Sequence, residues 1–332
     1  MRRIVETVCI FKKGEKSLLK HHDIEEVITL FLEHLDLNPT TIENYQSILN
    51  QYITYLKRNN IKKPRRKNIL NYRLYLFKHG QSETTIQKYM VILKKFYKWA
   101  RIYKDMYHLD DAYKYDIAEG VKGALVEQMY KKEPLSLEQV QALLEVTNNH
   151  NGDILALRNH AIILLMLITG MRTVEVARAK RSDISKLNGR WILYVQGKGK
   201  IAKNHFVKLP GVLIEAIQDY LYLRVDHDPY LFIKHQSTSD HQGLTKAYIG
   251  RMINKYFKKA GIDNPKITPH SLRHTAAYIN LSNGGTLEAT RQLLRHKHIE
   301  STLIYAHQIE RINDDSEERI ANQYFKKEDS HG

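Results

Sequence analysis

The stretch ITPHSLRHTAAYINLSNGGTLEATRQLLRHKHIESTLIYAH, residues Ile267–His307, decides how this sequence is interpreted. Thr268 is a good helix N-cap and Pro269 a good first helical residue, so His270 and Arg273 fall in the first turns of a helix. Such a helix start offers free N–H groups and positive potential to a phosphate, and an arginine adds a bidentate fork. The alternative is a plain surface helix that happens to carry histidine and arginine one turn apart.

The end of the same stretch adds a possible nucleophile. His296 lies nine residues before Tyr305, which is one of 21 tyrosines. A phenol is a poor nucleophile unless cations and hydrogen bonds stabilise its phenolate, and the nearby histidine and arginines are of the right type. His296 and His298 could instead bind a metal, but no cysteine or acidic residue lies at a ligand spacing. We therefore expect chemistry on a phosphodiester with no metal and no cofactor.

Composition favours nucleic acid as the partner. The 332 residues carry a formal net charge of +16, which predicts attraction to polyanions; the alternative is a soluble protein that is merely basic. Cys9 is the single cysteine, so neither an intrachain disulfide nor a cysteine-rich zinc site is expected. The start lacks a signal-peptide pattern, and the longest apolar run, 161–169, is too short to span a bilayer. These features predict a cytoplasmic protein without a membrane partner.

Helical periodicity divides the chain into segments. We expect a basic arm over 1–22, a helical domain over 23–103 and a linker over 104–132, where periodicity is weak. A second domain is expected over 133–308, followed by a tail over 309–332. The helices of the first domain are predicted near 23–35, from a Thr40–Glu43 capping box through Leu56, near 67–79, and over 83–101.

The second domain is predicted to be helical around a small sheet. Ser136 and Gln139 form a capping box, and the nearly all-apolar helix Leu155–Thr169 must be central. Trp191–Val195 and Phe206–Leu209 are typical of strands, and further helices are expected over 211–223 and 245–260. The fold class is therefore mainly α with a small antiparallel β-sheet.

Two further basic positions can complete a phosphate site. Arg172 follows the central helix and needs an anionic partner, for which Glu175 is placed three residues on; this is either a structural pair or a carboxylate that orients Arg172 towards a phosphate. Lys198 stands between two glycines in the turn joining the strands, with Lys200 and Lys203 as competitors.

The first domain also carries basic clusters. A turn around a proline and a later helix hold Lys62, Lys63, Arg65, Arg66, Lys94 and Lys95. They are either solvated surface residues or phosphate contacts, and the overall basic charge favours contact with DNA.

The ordered motifs TGMRTVEV, GKGK, TPHSLRH and LLRHKHIESTLIYAH resemble the tyrosine recombinase (integrase) family of bacteria, phages and mobile elements. The resemblance covers about 134–307, and the preceding helices resemble that family's core-binding domain. It implies that Arg172 and Arg273 grip the scissile phosphate and that Lys198 protonates the leaving 5′ oxygen. It also implies that His270 and His296 are the two active-site histidines and that Tyr305 is the nucleophile.

The sequence departs from the family pattern at Arg295, where glycine is common before the second histidine. We expect its side chain either to contact DNA or to shift His296 slightly. Met171 and Thr173 are milder variants.

The resemblance implies a site-specific recombinase that acts on double-stranded DNA through a 3′-phosphotyrosine, as a tetrameric synaptic complex associated with the nucleoid. The tail then docks on a neighbouring protomer. Integration or excision of a mobile element and Xer-like dimer resolution both fit, and accessory DNA-bending proteins are undetermined. A catalytically silent DNA-binding protein on the same fold and a type IB topoisomerase are the rival interpretations; a covalent-adduct assay and a strand-exchange assay discriminate them.

Overall fold

The computed structural model describes residues 23–124, 133–148, 152–196, 203–235, 243–300, 302–303, 305–307 and 314–325. The chain separates into two compact units, Met1–Met129 and Tyr130–Gly332. Among the described helices, none combines the length and the apolar character that crossing a bilayer requires.

The first unit is a helical bundle. Its helices are α1 (Ile24–His34), α2 (Pro39–Arg58), α3 (Arg66–Lys78) and α4 (Glu83–Ile102). They bury an aromatic core in which α1 and α2 pack on α4. The predicted Thr40–Glu43 capping box is wrong, because the N-cap of α2 is Asn38, two residues earlier. Asn38 Oδ1 accepts the Thr41 N–H at 3.0 Å, and Pro39 suits the first helical position.

The segment predicted as a linker differs from that expectation over 104–124. Leu109, Tyr113, Ala118 and Val121 are buried and belong to the core of the first unit. Their irregular spacing follows turns and a short 3₁₀ helix at Asp111–Tyr113, so no helical period marks them in the sequence. Residues 125–132 lie outside the described part of the chain.

The second unit surrounds one apolar helix. Its elements in chain order are α5 (Leu137–Asn148), α6 (Ile154–Thr169), α7 (Thr173–Arg178), β1 (Ile184–Leu187), β2 (Arg190–Val195), β3 (His205–Lys208), α8 (Gly211–Tyr222), α9 (Lys246–Lys259), α10 (Pro269–Ser282), α11 (Leu287–Leu294) and α12 (Ser316–Tyr324). Helix α6 packs against α5, α8 and α10, as its all-round apolar surface requires. The mainly helical fold class is confirmed.

The sheet and the helix starts follow local rules. The strands run antiparallel in the order β1-β2-β3. Strand β1 was not predicted from the sequence. The predicted Ser136–Gln139 box is confirmed, since each side chain accepts the backbone N–H of the other residue, at 3.2 and 3.0 Å. The predicted start of α10 is also confirmed, with Thr268 as N-cap and Pro269 as first residue.

Gly170 ends α6 in the left-handed region, with φ of 59°. A Cβ at this position would lie 2.7 Å from Cδ2 of the fully buried Leu294. We expect Gly170→Ala to lower the free energy of unfolding by about 2–4 kcal/mol, because left-handed strain adds to the overpacking. Urea unfolding measures this loss.

Gly261 provides the matched control. It has φ of 70°, and a Cβ there meets no heavy atom of the described residues within 4 Å. Gly261→Ala therefore reports the backbone strain alone, about 1–2 kcal/mol. Equal losses at both glycines would contradict the close packing of Leu294 on Gly170.

Candidate active site

Arg172 and Glu175 form one side of the site at the start of α7. The Arg172 guanidinium Nη1 donates to Glu175 Oε1 at 2.8 Å, and the Arg172 backbone N–H donates to Glu175 Oε2 at 2.8 Å. The Glu175 side chain is 1% exposed, whereas that of Arg172 is 29% exposed. The buried carboxylate thus holds Arg172 while part of the Arg172 side chain remains exposed.

Glu175 stays ionised despite its burial. Burial alone raises the pKa of this carboxyl, but the charges of Arg295 and Arg172 and the hydrogen bonds from Arg172 outweigh it and leave the pKa below its ordinary value. The buried negative charge is therefore fully formed at neutral pH and is compensated by arginine on two sides.

Arg273 lies one turn into α10 and is 1% exposed. Its Nη1 donates to Gly170 O at 2.5 Å and its Nη2 donates to Leu294 O. Burial, and then the neighbouring charges of Arg172 and Arg295, lower the pKa of this guanidinium to about 9, so it is still protonated at neutral pH. The residue brings a positive charge to the junction of the α6–α7 turn and the end of α11.

Arg295 ends α11 in the left-handed region, with φ of 54° and ψ of 41°. This conformation explains why glycine suits the position, since an L side chain costs about 1–2 kcal/mol there. The Arg295 side chain is only 5% exposed and its Nη2 lies 2.8 Å from Glu175 Oε2. Our expectation of a DNA contact at Arg295 is not supported by this placement, because the guanidinium points into the protein.

His296 follows directly and is held by Thr302. Its Nδ1 lies 2.8 Å from the Thr302 hydroxyl, and Thr302 is fully buried. Burial, and then the charges of Arg273, Arg172, Arg295 and His270, lower the pKa of the His296 imidazole to about 3. The ring is therefore neutral at neutral pH, and its Nδ1 is engaged by the Thr302 hydroxyl.

This depressed pKa predicts a specific acid sensitivity. The unfolded chain takes up a proton on His296 as the pH falls below about 6.5, whereas the folded chain resists it until about pH 3. Stability is therefore lost across that window. We expect His296→Asn to flatten the fall in urea midpoint between pH 7 and pH 5.

His298, two residues on, is exposed, so His298→Asn is the matched surface substitution for comparison with His296→Asn. If His296→Asn changed the slope no more than His298→Asn does, a buried neutral imidazole at 296 would be excluded.

Tyr305 is 5% exposed, and its hydroxyl lies 2.5 Å from His274 Nδ1. The His274 ring in turn packs edge-on against His270, with ring centroids 4.8 Å apart. Burial raises the pKa of the Tyr305 phenol to about 12, although the charges of Arg273 and Arg172 act in the opposite direction. The phenol is thus protonated at neutral pH and already touches an imidazole able to accept its proton.

Two residues of this site were missed by the sequence analysis. His274 stands beside Arg273 in the quoted TPHSLRH motif, and a histidine one turn after His270 is the signal that could have found it. Thr302 lies six residues after His296 in the segment that carries Tyr305. Nothing in its residue type distinguishes it from other threonines.

The remaining predicted residues are placed unevenly. Lys198 and Lys200 lie outside the described residues, while Lys203 pairs with the buried Asp183 at the base of β3. In the first unit, Lys62, Lys63, Arg65, Arg66 and Lys95 are exposed and Lys94 is half-buried. Three of these six also bind within the unit: Lys63 to Asp110 at 3.1 Å, Arg66 to the Glu119 carbonyl, and Lys95 to the Tyr45 hydroxyl at 3.0 Å.

The structure therefore brings five of the six predicted catalytic side chains together: Arg172, His270, Arg273, His296 and Tyr305. Among the described residues, no group of three or more histidine, cysteine, aspartate or glutamate side chains is arranged to hold a metal ion. Guanidinium groups, a neutral imidazole and a phenol are the groups needed to transfer a phosphoryl group to tyrosine. The site thus gathers guanidinium groups, imidazoles and one phenol within a mainly helical unit.

Comparison with known proteins identifies the family. A model described as the phage integrase family matches residues 133–311, and one described as the phage integrase N-terminal SAM-like domain matches 28–102. Tyrosine recombinase XerD of Halalkalibacterium halodurans is 30% identical over 283 residues, which cover 82% of this chain and 88% of that protein. Tyrosine recombinase XerA of Pyrococcus furiosus is 28% identical over 283 residues, covering 84% and 88%.

Solved structures share the fold. The XerH site-specific recombinase bound to a palindromic difH substrate, in a post-cleavage complex, gives a TM-score of 0.68 at 21% identity, covering 86% of this chain and 80% of that one. The Tn1549 transposon integrase in complex with circular intermediate DNA gives 0.62 at 18% identity, covering 85% and 94%. The chain belongs to the phage integrase family of tyrosine recombinases. It is a DNA strand-transferring enzyme of site-specific recombination.

Proposed function

We propose that Tyr305 is the nucleophile of the first of two successive transesterifications on DNA. Its phenolic oxygen attacks a backbone phosphorus, the bond from phosphorus to the 5′ oxygen breaks, and a 3′-phosphotyrosine forms. The released 5′ hydroxyl of a partner strand then attacks that linkage and restores the phenol. The observation that carries this proposal is the Tyr305 hydroxyl, held 2.5 Å from the His274 imidazole and within the field of Arg172 and Arg273.

The proton of the phenol needs an acceptor within reach. The family resemblance implies His270 as this base, whereas a hydrogen bond to Tyr305 is made by His274, with His270 packed against it. We therefore assign the first proton transfer to His274 and the support of its ring to His270. Protonation of the leaving 5′ oxygen is assigned to Lys198, and this role stays a prediction from the family pattern.

Arg172 and Arg273 are assigned the role of stabilising the negative charge that develops on the pentacoordinate phosphate. Both guanidinium groups are already fixed by the protein, Arg172 through Glu175 and Arg273 through two backbone carbonyls. Fixed charges stabilise a transition state without the cost of reorienting during the reaction. The neutral His296 is assigned to hydrogen bonding with the same phosphate.

The test of this function is a covalent link between the protein and DNA. The purified chain is incubated with fragments of host DNA, the mixture is denatured, and DNA that remains attached to protein is recovered and sequenced. We expect recurrent attachment at the 3′ side of one defined position. If DNA is bound and the chain is folded but no attachment forms, the silent DNA-binding interpretation replaces this proposal.

The same experiment separates the biological roles. Attachment at the two ends of a mobile element supports integration and excision, whereas one chromosomal position outside any such element supports Xer-like resolution of dimers. Both roles are compatible with the comparisons, which include relatives named XerD and XerA and a transposon integrase of the same fold. Activity on such DNA implies work at the nucleoid in the cytoplasm.

Double-stranded DNA is the proposed partner of both units. In the first unit we assign phosphate contacts to the exposed ends of the basic residues Lys62, Lys63, Arg65, Arg66, Lys94 and Lys95. Lys200 is assigned in the second unit from the sequence alone. Such contacts release counterions, so binding should weaken steeply as salt rises.

Self-association is proposed through the tail. Helix α12 leaves Ile320 54%, Tyr324 77% and Phe325 80% exposed, which is unusual for one short amphipathic helix. We propose that this face docks on a neighbouring protomer and links four subunits into a synaptic complex. Recombination between two sites requires such an assembly.

Truncation after Asp314 should therefore weaken synapsis of two DNA sites at least about tenfold while changing single-site binding less than about threefold. Ile320→Ser combined with Tyr324→Ser is the milder variant, since both residues are exposed and their loss leaves the core intact. A gel that resolves paired from single complexes measures both quantities. Equal weakening of the two would count against docking through the tail.

A further inference from the structure

Arg295 stands where a glycine would meet no backbone strain. Its own N–H lies 3.0 Å from Gln292 O, and the His296 N–H lies 3.0 Å from Arg291 O, which is the hydrogen bonding of a left-handed helix end. A glycine satisfies this geometry without a side chain. A strained arginine in place of the favoured glycine points to a role for the arginine side chain.

The Arg295 side chain connects two parts of the site. Its Nη1 donates to Leu293 O at 2.7 Å and approaches Thr169 O at 3.3 Å, while Nη2 donates to Glu175 Oε2 at 2.8 Å. Arg295 therefore joins the end of α11, which leads into His296, to the turn that carries Arg172 and Glu175. With 5% of its side chain exposed, it is a buried cation and not a surface one.

Glu175 is the shared partner in this arrangement. Oε1 binds the Arg172 guanidinium, and Oε2 binds both the Arg172 backbone N–H and Arg295. One carboxylate lies between two guanidinium groups, so the trio carries one net positive charge. If glycine replaced Arg295, Arg172 would be the one guanidinium among the described residues still hydrogen-bonded to Glu175, and that pair would be neutral.

We propose that Arg295 is a positioning residue that neutralises Glu175 and so leaves the charge of Arg172 available to the scissile phosphate. The inference rests on the proposed function of Tyr305 and the two arginines. It assigns to Glu175 a dual role, since the carboxylate orients Arg172 and would also weaken it as an anion site. Arg295 retains the first effect and removes the second.

The alternative is that Arg295 only braces the end of α11. The two accounts differ in what happens when Glu175 also loses its charge. Under our proposal, Glu175→Gln rescues an Arg295→Gly variant, because no carboxylate is left to be neutralised. Under the bracing account, a second lost contact can only add to the damage.

Single-turnover cleavage of a nicked suicide duplex, carrying the attachment site mapped for this enzyme, supplies the test. Saturating protein separates the rate of cleavage from the Kd for the same duplex. We expect Arg295→Gly to slow cleavage about tenfold, less than the 10²–10³-fold typical of a lost direct donor, while the Kd changes less than about threefold. The Arg295→Gly, Glu175→Gln double variant should recover most of the rate.

Arg295→Lys and Arg295→Gln form a matched pair that keeps a side chain at the strained position. The lysine variant should cleave near the original rate and the glutamine variant as slowly as Arg295→Gly, whatever the stability of the glycine form. The proposal is overturned if Lys and Gln cleave alike, or if the double variant is slower than Arg295→Gly. A failure of the proposed function is distinguishable, because the unmodified chain itself would then form no adduct.

Discussion

Replacing Tyr305 with phenylalanine should abolish the covalent DNA adduct, with a loss of at least about 10⁴-fold in cleavage rate. The change removes one oxygen, the one that lies 2.5 Å from His274 Nδ1 and that attacks phosphorus in the proposed mechanism. The ring itself remains in its buried position beside Leu294 and Ala277, so folding should be retained. Noncovalent affinity for the same duplex should change less than about threefold, as measured by gel shift.

Tyr222→Phe is the matched control, because Tyr222 lies in the same unit with 88% of its surface exposed. It should cleave at the original rate. An adduct formed by Tyr305→Phe at an undiminished rate would assign the nucleophile elsewhere, and peptide mapping of the DNA-linked fragment would identify it. His274→Ala is expected to be slowed to a lesser degree, because it removes a proton acceptor and leaves the nucleophile in place.

Arg172→Ala should lower the cleavage rate about 10²–10³-fold, the range found when a fixed donor to a developing charge is removed. The variant should still fold, since the carboxylate of Glu175 keeps its ion pair with Arg295 at 2.8 Å. DNA affinity should fall less than about tenfold, because one phosphate contact among many is lost. Single-turnover cleavage at saturating protein, with a thermal melt of the same sample, measures these quantities.

Arg181→Ala serves as its control. Arg181 belongs to the same unit, pairs with Asp226 at 3.1 Å, and has a side chain 33% exposed, close to the 29% of Arg172. The two variants therefore remove similar charge and similar packing. If both reduced cleavage equally, the effect of Arg172 would be attributed to general electrostatics and its assignment to the phosphate would be withdrawn.

The helices were predictable wherever an apolar face repeats with the helical period. Helix α4, for instance, was expected over Glu83–Arg101 and runs Glu83–Ile102, because its inward residues recur every three or four positions. Residues 104–124 were not, because Leu109, Tyr113, Ala118 and Val121 reach the core from turns. Strand β1 was missed because Ile184–Leu187 has only two apolar residues, separated by Ser185 and Lys186, and its burial does not alternate along the strand.

The site was predictable as a set of residue types and spacings, but not as a network of contacts. The sequence places Arg295 beside His296 and gives no sign that its backbone is left-handed or that its side chain turns inward to Glu175, 120 residues away. The contact of Tyr305 with His274 is equally non-local, across 31 residues. Such pairings depend on the packing of α6, α10 and α11, which no local pattern encodes. The roles of Lys198 and Lys200 stay predictions.

The burial of Tyr305 bears on the order of DNA binding and strand cleavage. Because only 5% of the Tyr305 surface is exposed, the phenol is shielded from DNA that contacts the protein surface loosely. In the proposed mechanism the Tyr305 phenol must become accessible before it attacks phosphorus, so DNA binding and strand cleavage are separate steps. Under that mechanism, a bound sequence that does not expose Tyr305 stays uncut.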